Sequence, residues 1–491
     1  MLYPYFSIFY IIFMDQTQLR NFLEIPYDEL QRLNLEAKGR FINNEDEIKV
    51  RKYYIDYLKN ESRLKAVTLC FSDIEGRFHM LDYDKEYFIK NLDGLTFDGS
   101  SIRGFSTIDQ SDLRLKPDWY SFRWLPSDVF GPGKVIMFGY VCEQDGSPYS
   151  CDFRYSLHLT LGELYKKDKL EYFVAPELEG FLLSGQNAEQ SYDEKEGFQI
   201  ASEGGYYHTL PTDTLKLFID RAAEAQRALG FENEKDHPEV APSQFELNFS
   251  YTDALLACDQ IQLYKLVCRQ IAHNMGMTAS FLPKPVVGIN GNGMHINLSL
   301  SKAGKNLFYN EKDESKLSKT AWEFISRILN HANEICLILN ASVNAYRRLD
   351  PHFEAPNQIK YSYTDRSSMI RIPLATQKST RIEIRSVSPD TNPYAVALIL
   401  LKTGLEGEDL EKDEDKRQRT RVLPDSIQDA IKQFKLSDFT THILGDYAKA
   451  KYLEQKQIVA NRSPKELGKT IKNGEVLYHH EITNQVLWNR F

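Results

Sequence analysis

The chain has no hydrophobic run long enough to span a bilayer. Its one membrane-like stretch, MLYPYFSIFYIIF at residues 1–13, falls short of the roughly 20 apolar residues that a spanning helix needs. It also lacks the positive n-region and small-residue cleavage site of a secretory leader. Met14 opens an ordinary polar stretch immediately afterwards, so the native start is expected at Met14, with no membrane association; the alternative reading of residues 1–13 is a membrane anchor. A basic surplus is missing too: 60 Lys and Arg face 69 Asp and Glu, a net charge of −9. That balance argues against a nucleic-acid binder, which needs a positive face for the phosphate backbone. Cysteine is scarce. The six, at positions 70, 142, 151, 258, 268 and 336, form no CxxC pair and no regular spacing. This excludes a disulfide framework or a zinc signature and fits a reducing cytoplasm. Phosphate loops are absent as well. LGKT at 467–470 has the tail of a P-loop but Ser463 where its first glycine belongs, and GINGNG at 288–293 lacks the GxGxxG spacing.

What is present is ample core material: 42% apolar and 12% aromatic over 491 residues, too long a chain for one ordinary core. Residues 1–63 form an extension, charged and helical in character from 15 to 62. LKAVTLCFSDIEGRFHML then alternates like strand material around a turn at Glu75-Gly76, and short strand-like runs continue to VIMFGYVCE. These define a small domain at 64–145. From 146 to 491 helices and strands interleave in a larger domain. DTLKLFIDRAAEAQRALG (213–230) and DALLACDQIQLYKLVCRQIAHNMG (253–276) carry apolar residues at helical spacing. The run EGEDLEKDEDKRQR, from 406, reads as a solvated surface loop, with helical segments from about 420 onward.

Chemistry enters through strands with one oily and one charged face. In VAPELEGFLL (174–183), Glu177 and Glu179 stand two apart and share a side of the strand. HINLSL (295–300) sets His295, Asn297 and Ser299 against three aliphatic residues, and TRIEIRSV sets Arg381, Glu383 and Arg385 against Ile382 and Ile384. EVAPSQFELNF adds Glu239 and Glu246, an odd number of positions apart; Pro242 breaks the ladder between them and lets both converge. A wet strand face needs no histidine and no such crowd of carboxylates. The economical account is a curved sheet around a polar cavity in which cations offset the acids. Five carboxylates and one imidazole without thiols suit hard divalent ions such as Mg²⁺ or Mn²⁺, two or more of them. Arginines beside them point to an anionic substrate and to phosphoryl transfer.

DGSSIRGF (98–105), APELEGF, GGYY (204–207), EVAPSQFE, NGNGMHINLSL, YRRLDPHFEAP (346–356), DRSSMIRIP (365–373) and RIEIRSVSPDTNPY (381–394) resemble, in order, the signature blocks of type I glutamine synthetase. The wording is nearest to the feedback-regulated subtype that is not adenylylated. The resemblance implies an α+β fold: a small N-terminal β-grasp-like domain, and a large catalytic domain whose curved antiparallel sheet forms a polar funnel flanked by helices. It implies ligation of ammonia to the γ-carboxylate of L-glutamate with ATP, through γ-glutamyl phosphate. Glu179, Glu239 and Glu246 match the ligands of one metal, and Glu177, His295 and Glu383 those of the metal beside the phosphates. Arg348, Arg366 and Arg385 match glutamate and phosphoryl binders, Arg366 being catalytic. Arg371 and Arg381 match phosphate contacts, and Glu234, Ser299 and Lys378 nucleotide-side contacts. Asn290 and Gly291 fall in the loop that cradles glutamate. Asp98, Ser101, Asp112 and Tyr206 match the ammonium pocket, with Asp98 as the base and Glu354 on the flap that closes it.

The family delivers its DGSS block to the neighbouring subunit in a double hexameric ring, so a cytoplasmic homododecamer with shared sites is expected. Four positions depart from the pattern. His352 stands where the flap has Gly, Asp365 where Asn precedes Arg366, Pro238 between His237 and Glu239, and Ser243 at a common Gly. The extension before residue 64 lies outside the pattern and reads as a docking or regulatory arm. Two other readings remain open: a γ-glutamyl ligase acting on an amine or polyamine, whose relatives lose the ammonium-pocket acids, and a non-catalytic relative, which would have eroded metal ligands.

Overall fold

A computed structural model describes residues 21–190, 197–208, 213–349, 355–410 and 420–461. Two sheets organise it. The smaller comprises β1 (Ala66–Ser72), β2 (Phe78–Asp84), β3 (Thr96–Asp98), β4 (Asp112–Pro117), β5 (Arg123–Trp124) and β6 (Lys134–Cys142), in the order β2-β1-β6-β4-β3 with β5 beside β6. β1 is central and buried on both faces, and it runs parallel to β6, which explains why AVTLCFS reads as continuously apolar. β4 keeps one wet face and alternates strictly between exposed and buried residues.

The larger sheet holds β7 (Leu170–Ser184), β8 (Asn233–Pro238), β9 (Gln244–Phe249), β10 (Thr252–Asp253), β11 (Met277–Ser280), β12 (Met294–Lys302), β13 (Lys305–Asn306), β14 (Gln358–Ser362), β15 (Ser368–Arg371) and β16 (Ile382–Ile384). Its main path is β14-β15-β16-β12-β7-β9-β8. The α+β expectation holds, with one difference: the sheet is antiparallel except at its edge, where β14 pairs with β15 in parallel. The two helices read from spacing form at Thr214–Ala228 and Ala254–Asn274. Each starts at an aspartate whose carboxylate accepts from first-turn amides, Asp213 from Leu215 and Asp253 from Leu255 and Leu256. Helices Ile427–Leu436, Asp438–Leu444 and Asp446–Ala460 close the C-terminal side. Part of the acidic run, 411–419, lies outside the described residues.

Residues 21–63 are not a free arm. Helices Tyr27–Ile42 and Glu47–Asn60 pack on the body, and the wholly buried Asn34 fixes the first of them. Its amide donates to the Trp124 and Ala228 carbonyls at 2.9 and 2.7 Å and its oxygen accepts from the Trp124 amide at 3.0 Å. At the seam between the sheets, the buried Arg154 donates to Asp259 at 2.8 and 2.7 Å and to Asp118 at 2.6 Å. Tyr140 and Tyr394 donate to the same two aspartates. No helix among the described residues is long and apolar enough to cross a membrane.

Candidate active site

The register of the large sheet assembles a polar funnel. β7 alternates buried and part-exposed residues, so Glu177 and Glu179 face out of the core together. Antiparallel pairing sets His295 of β12 opposite Glu177, and Asn297 opposite Glu383 of β16. Arg371 of β15 also falls opposite Glu383, and Glu246 of β9 opposite Glu179. A one-residue slip at any of these pairings would turn the acids into the core. The cavity that Glu177, Glu179, Glu246, His295 and Arg371 line holds about 270 Å³, with Tyr206, Asn290, Gly291, Arg348, Arg366 and Arg385 around its wall. Gly291 is required there, since a Cβ would lie 2.3 Å from the Pro283 carbonyl oxygen.

Two groups of donor atoms could each surround a metal ion, every atom within 4.8 Å of the others: Glu177, His295 and Glu383, and separately His237, Glu239 and Glu246. In the first, His295 Nδ1 lies 3.5 Å from Glu177 and 3.7 Å from Glu383. Asn297 donates to Glu177 at 2.9 Å, and Glu383 accepts from Arg385 at 2.6 Å and from Arg371. The second differs from the expected grouping. His237 approaches Glu239 at 3.6 Å and Glu246 at 3.8 Å, while Glu179 stands alongside and accepts from the Gly293 amide at 2.8 Å and Gln244 at 3.1 Å. The convergence of Glu239 and Glu246 also has another origin than a broken strand. β8 and β9 form a hairpin whose turn carries Glu239, with Ser243 in the left-handed region at φ 65°. Ser243 repays that conformation: its hydroxyl donates to the Leu182 carbonyl at 2.5 Å and accepts from the Ala201 and Ser202 amides.

The two groups differ electrostatically. Burial pushes the Glu177 carboxyl up, but the His295 contact, the Asn297 amide and Arg371 outweigh it and bring it down to about 2. Burial and the Glu239 charge push Glu179 up to about 8. Burial raises Glu239, and burial with the Glu179, Glu177 and Glu239 charges raises Glu246 well above its ordinary range. Glu177 stays ionised; Glu179, Glu239 and Glu246 take protons or a cation. Carboxylate and imidazole donors without thiol are a hard-cation set. Two arginine atoms in the wall, Arg348 Nη1 and Arg385 Nε, are buried without a hydrogen-bond partner among the described residues, as an anion site would leave them.

A second cavity of about 280 Å³ gathers Glu234, Ser299, Lys378 and Arg381 beside Phe173 and Tyr251. Glu177, Lys235 and Asn248 line both cavities, so the two are contiguous. Arg381 donates to Asn297 at 2.8 Å. Arg371 stands on the funnel side instead. Asp98, Ser101 and Asp112 line neither cavity. Asp98 and Asp112 are paired across β3 and β4 of the small sheet, and Ser101 lies in the helical turn Gly99–Ser101 that follows β3. The exposed Asp98 accepts from Ser100 Oγ at 2.6 Å and Ser101 Oγ at 2.5 Å, contacts that hold its carboxyl below the usual range. Glu354 and His352 lie outside the described residues. Asp365 adds no free charge beside Arg366: it pairs with Lys360 at 2.8 Å and accepts from Ser367.

Sequence reasoning missed His237, Lys235, Asn248 and Tyr251. The signal for three of them was available. Lys235 and His237 are two apart on NEKDHP, and Asn248 is two beyond Glu246, the same alternation that revealed Glu177 and Glu179.

The model for the glutamine synthetase catalytic domain matches residues 150–469 and that for the glutamine synthetase beta-Grasp domain residues 63–143. The glutamine synthetase of Thermus thermophilus is 35% identical over 431 residues, covering 82% of this chain and 93% of that protein. A Staphylococcus aureus glutamine synthetase is 34% identical over 422 residues, covering 81% and 92%. Among solved structures, Plasmodium falciparum glutamine synthetase superposes with a TM-score of 0.77 at 23% identity over 86% of this chain and 97% of that one, a likeness of fold. The ADP complex of GmaS superposes with a TM-score of 0.72 at 25% identity over 86% and 98%.

Proposed function

The chain belongs to the glutamine synthetase family, and from that premise we propose that it joins ammonia to the γ-carboxylate of L-glutamate with ATP, giving glutamine, ADP and phosphate. One observation carries the reading: sheet register, with the turn between β8 and β9, sets two potential metal-binding groups in a funnel contiguous with a second, aromatic-edged cavity. ATP fits the second cavity, with Ser299, Lys378 and Arg381 toward its polar parts and the Tyr251 ring offering its base a stacking face. Its γ-phosphate then faces the funnel through Glu177. Divalent ions, Mg²⁺ or Mn²⁺, neutralise phosphate charge when bound; Glu177, His295 and Glu383 would hold one, and His237, Glu239 and Glu246, with Glu179 beside them, another.

The chain's own residues do the rest. Arg348 and Arg385, each with a buried unpaired N–H, bind and orient the glutamate carboxylates; Arg366, on the same wall, stabilises charge on the phosphoryl group in transit. Attack of the γ-carboxylate oxygen on the γ-phosphorus forms γ-glutamyl phosphate and releases ADP. Ammonia then attacks the acyl carbon and phosphate leaves. Asp98 takes the proton from ammonium, a task for which an ionised carboxylate is prepared. Asp98, Ser101 and Asp112 lie outside this chain's own funnel, so in this reading they serve the funnel of a neighbouring copy, in a homododecamer of shared sites in the cytoplasm.

The test is ADP release by purified protein with Mg²⁺ and ATP. It should require both glutamate and ammonium. Release that needs an amine such as putrescine instead of ammonium would move the assignment to a γ-glutamyl–amine ligase, and no release with any acceptor would leave a non-catalytic relative.

A further inference from the structure

A third cavity, of about 270 Å³, lies at the seam of the two domains and shares no lining residue with the funnel or the nucleotide cavity. Its walls come from the turn between β1 and β2, from the helix Ala254–Asn274, and from residues 389–391 beyond β16. Its size is just below the lower end of ordinary small-molecule pockets, which limits an occupant to few atoms.

Cations dominate the lining: Arg77, Lys265 and Arg269 against the single carboxylate of Asp390. That carboxylate is already engaged, accepting from Ser342 Oγ on one oxygen and from Ser388 Oγ at 2.7 Å on the other. Lys265 and Arg269 stand one helical turn apart, a spacing at which like charges repel. Lys265 is only 6% exposed and donates to the Pro389 carbonyl alone, so two of its three N–H groups have no partner among the described residues. Arg269 lies over the Phe281 ring, 5.4 Å from its centre, and its guanidinium makes no hydrogen bond to a described residue. Glu189, itself buried, is the carboxylate that offsets Arg269 electrostatically. Burial and the Arg269 charge push the Lys265 ammonium down to about 7. A buried ammonium with spare donors, facing a guanidinium with five, forms a cradle for negative charge.

We propose that this cavity binds a small dianion, a phosphate-type oxyanion or a short dicarboxylate, gripped by Lys265 and Arg269 from the catalytic domain and faced by Arg77 from the small one. The bound anion relieves the repulsion along the helix and clamps the β1–β2 turn to the segment that follows β16, the strand carrying Glu383. This site is independent of the funnel's chemistry.

The test is calorimetric titration of the full chain with inorganic phosphate and, separately, succinate, against chloride at matched ionic strength. At least one dianion should bind, and which of the two does so identifies the chemistry. Arg269→Gln should weaken that binding about tenfold or more, the loss expected for charge-assisted contacts. The funnel variant Arg385→Gln removes any binding in the funnel and should leave the Arg269-dependent binding unchanged. Binding no stronger than chloride, binding to Arg385→Gln that Arg269→Gln does not weaken further, or binding abolished by Arg385→Gln alone would each overturn the proposal. Selenate soaked into crystals of the unaltered protein gives a check that needs no variant. An anomalous peak between Lys265 and Arg269 supports the site, and a peak confined to the funnel refutes it.

Discussion

Filling the funnel with metal should expel protons, and the count follows from the asymmetry between its two donor groups. Glu177 sits at about 2, so it enters neutral pH already ionised. Glu179, at about 8, is about nine-tenths protonated at pH 7 and about one-tenth at pH 9. Glu239 and Glu246 are raised in the same direction. A divalent cation replaces the missing positive charge and takes the ionised form, so binding at pH 7 should release about one proton or more, with markedly fewer released at pH 9. The sign is fixed: protons compete with metal, so affinity falls as pH drops below about 8, by about tenfold per pH unit for each proton displaced. Calorimetry of Mg²⁺ or Mn²⁺ binding in two buffers of different ionisation enthalpy reads the number directly. Metal binding at pH 7 without proton release, or affinity that rises on acidification, would refute the reasoning.

Other consequences are as direct. Arg154→Met leaves Asp118 and Asp259 buried without their guanidinium and should cost roughly 3–5 kcal/mol in denaturant unfolding; a loss below about 1 kcal/mol would mean that the seam is held by other contacts. Asp98→Ala should raise the KM for ammonium or lower kcat far more than it alters the KM for glutamate, since a base acts on the nucleophile; equal damage to both would remove that role. Tyr251→Ala should raise the KM for ATP about tenfold, in keeping with roughly 1–3 kcal/mol for an aromatic stacked on a base, and an unchanged KM would show that the base lies elsewhere.

Much of the site was legible because strand alternation has a fixed period. Glu177 with Glu179, and His295 with Asn297, reveal their shared faces once the strands are recognised, and sheet pairing then has few ways to join them. The hairpin was harder to read. Pro242 marks an interruption between Glu239 and Glu246, but whether the chain kinks or reverses there depends on the pairing of His237 with Glu246, a contact between strands that no local pattern encodes. Tyr251 and the cation cluster of Lys265 and Arg269 were illegible for a related reason. An aromatic after a strand and two basic residues on a helix are ordinary in sequence, and they acquire meaning only when distant elements wall them into a cavity. The N-terminal helices were foreseen as helices but not as part of the body, because the anchoring partners of Asn34 lie 90 and 194 residues away.

The central claim is that these side chains hold a pair of divalent cations, and equilibrium dialysis with Mn²⁺ tests it most directly. The unaltered protein should bind at least two ions per chain, and Glu246→Gln should lose about one while leaving the other in place. Fewer than two ions on the unaltered chain, or a count that Glu246→Gln does not change, would contradict the account.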